Sequence, residues 1–575
     1  MEKQHNRGQD GAGIGSVKLH VEPGYPFLYR NRSNANQPIA DLFAQIAKEI
    51  TDIEQYQPDI KQHPGLMKGH LKFLGEVMLG HLRYGTQGKN DVNFCHPFVK
   101  QHTIPNRNLL LAGNFNLVNT DELFAHIKLD PGTFQKQSDL AAMMEVIHHY
   151  LVASDTENQQ ELNVVKALEQ AVPLFDGGFN IGGITGNGIS FICRDAHGIR
   201  PSYYYINNEV IVAASERAAI RTTFNVAENE VQELMPGQAL IVAQNGDYSI
   251  HQIVPAQVRR ACSFERIYFS RGSDEKIYKE RIALGKCLAA PVLQAIDYDL
   301  KHTIVSYIPN TAETAFYGLV KGLGNYLNKV KIERIKSWDK NYTDEQLEEM
   351  INRKVRLEKI AIKDVKLRTF ITEDVSRNEM VQHVYDITYG TVTKRTDTLV
   401  IIDDSIVRGT TLRESIIKML SRLEPKKIII VSSAPQIRYP DCYGIDMSKL
   451  GDFIAFKAAI ALHTEHNTTS ILQELYNTCK NLQATNTLHT TNVVQQLYAP
   501  YSTAQLTAKI AELITPPNWH IPIQVIYQTI EDLHTSCPSN TGDWYFTGNY
   551  PTPGGNKVCN IAFINYYEGK NVRGY

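Results

Sequence analysis

At 575 residues the chain is too long for one hydrophobic core and implies about two to four domains. Its 59 Lys and Arg offset 61 Asp and Glu, which excludes the basic surface of a protein that coats nucleic acid. Eight cysteines without a repeated short spacing exclude a disulfide framework or a zinc ribbon and fit a reducing cytosol. No apolar run approaches the roughly 20 residues that span a bilayer, and the opening MEKQHNRGQDG lacks a secretory apolar stretch, so a cytoplasmic enzyme without membrane contact is expected.

Residues 1 to 257 read as short runs broken by Gly, Asn and Asp: GEVMLGHLRYG, NLLLAGNFNL, GGFNIGGITGNGISFICRD, EVIVAAS and QALIVAQNGDYSIHQI. Such runs are strand-like, and the helical stretch SDLAAMMEVIHHYLVAS lies between them, which predicts an α+β lobe with sheets packed inside helices.

From 258 to 480 apolar strand candidates (TIVSYI, TLVIID, KKIIIVSSA) alternate with helical segments such as TLRESIIKMLSRL, the pattern of βαβ units and a parallel sheet. Residues 331 to 367 are highly charged and predict an exposed helix or mobile loop. Residues 481 to 575, rich in Thr, Asn, Pro and Tyr, read as an appended C-terminal extension with little chemistry of its own.

The sharpest signal is the strand candidate Thr398–Ile402 followed by Asp403, Asp404, Ser405, Ile406, Val407, Arg408, Gly409, Thr410 and Thr411. A buried parallel strand delivers paired carboxylates into the crevice where open α/β sheets bind ligands. Gly409 allows close backbone approach, Ser405, Thr410 and Thr411 offer hydroxyls, and a helix starting near Thr411 aims free N–H groups at the same spot. The sequence fits neither a Walker A loop nor a dinucleotide fingerprint.

This run resembles the phosphoribosylpyrophosphate loop of type I phosphoribosyltransferases, in the form found in the amidophosphoribosyltransferase family. The resemblance implies that Asp403 and Asp404 bind the ribose hydroxyls and Mg²⁺, while Ser405 and the Arg408 to Thr411 backbone hold the 5-phosphate. Three neighbouring segments resemble the same family: Phe264–Arg271 as its opening strand, Arg368–Ile371 as the end of its mobile active-site loop, and Ser433–Arg438 through Tyr443–Asp446 as the segment after the next strand. Ile308-Pro-Asn-Thr-Ala312 falls at the family's pyrophosphate loop, with Thr311 implied as a hydroxyl contact near the metal and Asn310 where an acidic residue is usual.

In the first lobe His5-Asn-Arg7-Gly-Gln-Asp10, Gly80-His-Leu-Arg83-Tyr-Gly-Thr86, Ala112-Gly-Asn114-Phe115-Asn116 and Ser138-Asp139 occur in that order. Together they resemble class II glutamine amidotransferases, which implies an N-terminal-nucleophile-type αββα glutaminase lobe joined to an α/β phosphoribosyltransferase lobe with a parallel sheet. By that resemblance Arg83 binds the glutamine carboxylate, Asp139 its α-ammonium, and Asn114 with the Phe115 N–H forms the oxyanion hole. Two departures stand out. Gly113-Asn114-Phe115 replaces the usual His-Asn-Gly, and the nucleophilic terminal Cys is absent, since residue 1 is Met and the first cysteine is Cys95. A thioether has no proton to lose, so the expectation is either a truncated version of a longer product or a glutaminase-dead form. Cys95 is read as structural.

Some members of the family hold an iron-sulfur cluster at positions matching Cys262, Cys442 and a later CxxC. Here Gly542-Asp-Trp-Tyr545 replaces that pair, so no cluster is expected. His463 with His466, and His148 with His149, read as surface histidines. The resemblance implies synthesis of 5-phosphoribosylamine from phosphoribosylpyrophosphate with glutamine-derived or free ammonia, the first step of purine biosynthesis, in a homo-oligomer inhibited by purine nucleotides. The alternative is a phosphoribosylpyrophosphate-binding regulator or inactive subunit. A hexosephosphate amidotransferase, sharing only the first lobe, is contradicted by the DDSIVRGTT loop.

Overall fold

The structure, a computed structural model, describes residues 1–22, 24–85, 91–127, 138–155, 162–338, 342–363, 385–445 and 447–574. In the first lobe, short runs separated by turns form β1 (Gly11–Val17), β2 (Leu28–Ser33), β3 (Val77–Arg83), β4 (Phe98–Lys100), β5 (Leu109–Leu117), β6 (Gly177–Thr185), β7 (Ser190–Arg194), β8 (Tyr203–Ile206), β9 (Ile211–Ala214), β10 (Gln232–Glu233), β11 (Gln238–Val242) and β12 (Tyr248–Gln252). Two antiparallel sheets result, β2-β1-β3 and β12-β11-β7-β6-β5-β4, with β10-β8-β9 as a small third.

Side-chain alternation assigns the faces of these sheets. Leu109, Leu111, Phe179 and Ile181 pack beneath the helices Asp139–Ala153 and Val164–Ala171, against Met143, Ile147 and Leu168. Leu110 and Ile184 point the other way, onto Val17, Val77 and Leu79 of the three-stranded sheet. The outer side of that sheet buries Ala12 and Ile14 under Ile39 and Leu42 of the helix Pro38–Tyr56. Helix, sheet, sheet and helix thus stack in four layers. Each fully buried leucine of this stack contributes about 1.5–3 kcal/mol of transfer free energy.

The second lobe adds β13 (Thr303–Tyr307), β14 (Arg356–Leu357), β15 (Ala361–Lys363), β16 (Tyr385–Ile387), β17 (Thr398–Asp403), β18 (Lys427–Ser432) and β19 (Ile523–Tyr527). Its main sheet has the order β14-β13-β17-β18-β19 and is parallel throughout. Both faces are covered, which is why its strands read as continuous apolar runs. Val400, Ile402, Ile429 and Val431 face Val292, Leu319 and Leu323, while Leu399, Ile401, Ile428 and Ile430 face the core containing Leu420, Phe456 and Leu506.

Three expectations are corrected here. Residues 481–575 are not an appended tail, because they supply β19, the fifth strand of the parallel sheet, and bury Trp544, Tyr545, Phe546 and Phe563 in the main core. Polar composition hid this because the apolar residues are dispersed among short helices. Phe264–Arg271 is not a strand. Residues Glu265–Phe269 form a π-helical turn, with the Ser270 N–H donating to the Glu265 carbonyl at 2.9 Å, while the Phe264 N–H goes to the Tyr545 hydroxyl at 2.8 Å, so the segment has no ladder partner. His463 is buried rather than on the surface, its Nε2–H donating to the Leu497 carbonyl at 2.9 Å and its Nδ1 lying 2.9 Å from the Thr468 hydroxyl. His148 is likewise buried, donating to the Arg107 carbonyl at 3.0 Å.

The charged stretch forms the end of the helix Glu313–Ser337 and the helix Asp344–Asn352, while residues 339–341 and 364–367 lie outside the described residues. So do Thr86, Arg368–Ile371 and Asp446. Among the described residues no helix is long and apolar enough to cross a membrane.

Candidate active sites

The strand β17 ends in Asp403, and the loop that follows runs into a helix whose first residues are Thr410 and Thr411. The Asp403 carboxylate accepts the Asp404 N–H at 2.8 Å, and the Asp404 carboxylate accepts the Ser405 hydroxyl at 3.0 Å. Burial and the neighbouring Asp404 charge push the Asp403 carboxyl well above the ordinary range. Burial raises Asp404 to about 6, against the opposing influence of Ser405 and the Arg281 guanidinium. Two adjacent carboxylates with this little compensation form a site that lacks positive charge.

Gly409 has φ of +70°, and a Cβ there would come within 3.1 Å of Ile454 and Ile514, so both conformation and packing require glycine. Arg408 turns outward to Asp452 at 3.2 Å, and Thr410 and Thr411 are exposed. The N–H groups of Val407, Arg408 and Gly409 have no hydrogen-bond partner among the described residues, leaving a concave set of donors at a helix start. Thr311 lies in the loop after the neighbouring strand β13, which the Ile308 N–H ties to the Ile402 carbonyl at 2.9 Å. Among the described residues no three His, Cys, Asp or Glu side chains gather as a metal-ligand set. Two carboxylates alone suit Mg²⁺, which takes one or two protein carboxylates and completes its shell with water and substrate phosphates.

The other site is a cavity of about 290 Å³ between the lobes, and it brings together all four glutamine-site candidates, Arg83, Asn114, Phe115 and Asp139. Its floor comes from alternate residues Ala112, Asn114 and Asn116 of β5 with Asn180 and Gly182 of β6. Arg83, at the end of β3, is buried over the Phe94 ring at 5.7 Å and donates to the Asp91 carbonyl at 3.3 Å. Asp139 opens its helix and accepts the Leu117 N–H at 2.9 Å; burial raises its carboxyl to about 6, with the Leu117 and Asp139 N–H groups opposing.

The edge of β5 beyond β4 carries the backbone donors. The Gly113 carbonyl on that edge accepts His81 Nε2–H at 3.1 Å, and the Leu117 N–H on the same edge reaches Asp139. Alternate residues of a strand aim their polar groups to the same side, so the Phe115 N–H between them points there too. Phe115 has no positive φ, so replacing glycine at this position costs no backbone strain. Its ring stacks on His96 at 5.7 Å, and His96 in turn lies 4.1 Å from His81. Burial lowers His81 to about 4 and holds His96 well below its ordinary value, keeping both rings neutral at pH 7.

Sequence reasoning missed the charge cluster that closes this cavity. Glu265 of the second lobe accepts both Arg7 (2.7 and 2.8 Å) and Ser270 (2.9 Å), and Arg200 approaches it at 3.3 Å. Burial alone would raise its carboxyl, but the Arg7 and Arg200 guanidiniums outweigh burial and hold it below the ordinary carboxylate range. Arg7 also pairs with Glu216 at 2.6 Å, and Gly444, at φ +104°, leaves room for Arg200 where a Cβ would sit 2.4 Å from Nη2. Asn180 Oδ1, Arg200 Nε and Arg200 Nη2 are buried without a hydrogen-bond partner among the described residues.

No cysteine lines this cavity among the described residues. Cys95 is fully buried behind it, its Sγ 3.8 Å from the Ser33 carbonyl, and burial raises its thiol above the ordinary value. The two thiols implied as cluster ligands are also buried. Cys262 lies 3.2 Å from the Tyr545 hydroxyl, and Trp544 Nε1 donates to Asp441 at 2.8 Å, so aromatic side chains pack where the resemblance would place the later ligands. The residues present do not fit an iron-sulfur centre.

Similarity to known proteins agrees with this geometry. Residues 96–222 match a glutamine amidotransferase domain family. The chain is 27% identical to the amidophosphoribosyltransferase of Pseudomonas aeruginosa, covering 74% of this chain and 81% of that one. It is 26% identical to that of Escherichia coli, covering 79% and 78%. A solved Bacillus subtilis glutamine phosphoribosylpyrophosphate amidotransferase, complexed with ADP and GMP, superposes with a TM-score of 0.62 at 22% identity over 96% of this chain and 93% of its own. A structure described as the allosteric regulatory enzyme of purine biosynthesis gives 0.63 at 21% identity, over 96% and 92%. The fold is that of the two-lobed amidotransferase structures, with a first lobe similar to a glutamine amidotransferase domain joined to a second lobe built on a parallel sheet. More narrowly, the chain is similar over most of its length to amidophosphoribosyltransferases.

Proposed function

We propose that this protein forms 5-phosphoribosylamine by displacing pyrophosphate from phosphoribosylpyrophosphate with ammonia, as the first step of purine biosynthesis in the cytoplasm. The observation that carries the reading is the pair Asp403 and Asp404 at the end of β17, continuing without a break into the Gly409 loop and the start of a helix. The carboxylates hold the ribose hydroxyls and the divalent ion. Ser405, Thr410, Thr411 and the N–H groups around Arg408 and Gly409 hold the 5-phosphate. A bound Mg²⁺, held by Asp403 and Asp404 with Thr311 nearby, would supply charge neutralisation for the departing pyrophosphate. The protein's own contribution is to fix the ribose so that C1 meets ammonia in line with the leaving group.

In the cavity between the lobes, Arg83 takes the carboxylate of glutamine and Asp139 its ammonium, while Asn114 and the Phe115 N–H face the carboxamide oxygen as charge develops there. Ammonia comes from glutamine or from solution. The nucleotides present in the Bacillus subtilis structure support purine-nucleotide inhibition here, and the proposal includes a homo-oligomer. Pyrophosphate release measured with Mg²⁺ and phosphoribosylpyrophosphate, with glutamine or ammonium chloride as nitrogen donor, tests the reading. Release with ammonium supports the transferase site, and release with glutamine adds a working glutaminase. Binding of phosphoribosylpyrophosphate without any release would overturn the enzyme reading in favour of a regulator.

A further inference from the structure

Arg281 carries a buried positive charge that the fold does not use up. It lies on the helix Glu275–Cys287 and is 5% exposed. Its Nε donates to the Arg266 carbonyl at 2.8 Å, and its Nη2 donates to the Tyr268 and Ser270 carbonyls at 3.1 and 2.8 Å. These bonds brace the π-helical turn and fix the plane of the guanidinium, but carbonyls do not neutralise its charge. Among the described residues Arg281 has no carboxylate within ion-pair distance, and Nη1 has no hydrogen-bond partner. A buried cation is ordinarily paired, so the unused edge calls for an anion.

That edge opens onto space a ligand can enter. Gly272 and Thr314 are both partly exposed. A side-chain carbon built on Gly272 would lie 3.3 Å from Nη1 and 3.9 Å from the Thr314 Oγ1, and apart from the glycine's chain neighbours it would meet nothing else within 4 Å. The missing side chain thus leaves a gap walled by an N–H donor and a hydroxyl.

Helix packing places this gap at the crevice. A Cβ on Gly285 would fall 1.8 Å from the Ala315 carbonyl and one on Gly318 2.2 Å from the Ile282 carbonyl, so glycines let the helices Glu275–Cys287 and Glu313–Ser337 cross backbone against backbone. The crossing sets Arg281 beside the first turn of the second helix, directly after the loop that holds Thr311. Ala315 and Phe316 of that turn pack with Val400 and Ile402, whereas Leu412 and Ile416 after the Gly409 loop pack with Leu399 and Ile401. The two helix starts therefore approach the end of β17 from opposite faces of the sheet. Burial lowers the Arg281 guanidinium to about 10, and of the carboxylates that oppose this Asp404 acts most strongly, so the group stays charged at pH 7 close to the acidic pair.

We propose that Arg281 Nη1, with the Thr314 hydroxyl, binds an oxygen of the diphosphate group of phosphoribosylpyrophosphate and holds it as pyrophosphate leaves. This rests on the reading of the end of β17 as the phosphoribosylpyrophosphate site. The 5-phosphate is held by the Gly409 loop on the other face, so Arg281 serves one end of the substrate and not the other. A guanidinium N–H on a leaving phosphate is a charge-assisted bond that strengthens as negative charge collects there.

The test is calorimetric titration of the full chain with pyrophosphate and with ribose 5-phosphate, both in Mg²⁺, with thermal melts to check folding. Arg281→Ala is expected to weaken pyrophosphate about tenfold or more and to leave ribose 5-phosphate within about twofold. Because Arg281 also braces the π-helical turn, Gly272→Ala, which only puts a methyl group into the gap, decides the matter with the same expected pattern if Arg281→Ala does not fold. An unchanged pyrophosphate affinity, or equal losses of both ligands, in the deciding variant would overturn the inference. Loss of pyrophosphate binding on Asp403→Asn together with Asp404→Asn would leave the site reading standing in that event. A wild type that binds neither ligand, or that double variant binding pyrophosphate normally, would overturn the site reading and this inference with it.

Discussion

The two candidate sites solve opposite electrostatic problems. At the end of β17 two carboxylates stand together with their protonation favoured by burial and mutual repulsion, and the donors of the following loop are empty. That site is charged in a way only an incoming cation and phosphate can balance. In the interlobe cavity the charges of Arg7, Glu216, Glu265 and Arg200 are paired with one another before any ligand arrives. The first site sacrifices stability to bind a polyanion with its metal, whereas the second uses charge to hold two lobes in register around a small space.

The largest effect that would sharpen this contrast is on turnover. Replacing Asp403 and Asp404 together by Asn should lower ammonia-dependent pyrophosphate release by about a thousandfold or more, because binding and leaving-group stabilisation fail together. Retained release would move the chemistry elsewhere. The same substitution should raise the melting temperature in the absence of divalent ions. The sign follows from linkage: both carboxyls are pushed up on folding, so the folded chain binds protons more tightly and loses stability as pH rises from the unfolded value near 4 through the raised values.

In the cavity the opposite holds, and the expected loss is structural. Glu265→Ala leaves the Arg7 and Arg200 guanidiniums buried with their shared carboxylate gone, a change that costs about 3–5 kcal/mol in comparable buried pairs. Chemical denaturation should register that loss, and a loss within about 0.5 kcal/mol of zero would break the comparison between the sites.

A smaller effect concerns ligand charge. Asp139, raised to about 6 by burial, must be ionised to hold an ammonium. Glutamine affinity should therefore fall about tenfold between pH 7.5 and pH 5 as the carboxyl takes up its proton. Titration at the two pH values decides it, and a flat profile would remove Asp139 from the ammonium contact.

How far each site could be read from sequence follows the same division. The loop from Asp403 to Thr411 is contiguous, so its strand, carboxylates, glycine and helix start are ordered by the chain itself. Arg83, Asn114, Phe115 and Asp139 are separated, yet each sits in a short motif at the end or edge of its own element, and the fold brings them to one cavity. Arg7 and Glu265 are 258 positions apart and meet only because the lobes dock. Nothing in their immediate neighbours signals that pairing. The misreading of Phe264–Arg271 has a related cause, since its ladder groups are taken by the Tyr545 hydroxyl and by a widened turn.

The smallest expected effect separates packing from chemistry at Cys95, whose neighbour His96 lines the cavity. Cys95 is fully buried, and a Cβ on Gly11 would lie 2.5 Å from its Sγ, so the sulfur is wedged against β1. Burial holds the thiol protonated, and only a thiolate attacks an amide. Cys95→Ala should accordingly cost about 1 kcal/mol of stability from the small void it leaves and nothing in ammonia-dependent turnover or glutamine affinity. Should glutamine-dependent ammonia release exist in this protein and vanish in that variant, the sulfur would have to leave its packed position to react, and the division between a charged open site and a pre-paired closed one would no longer describe the cavity.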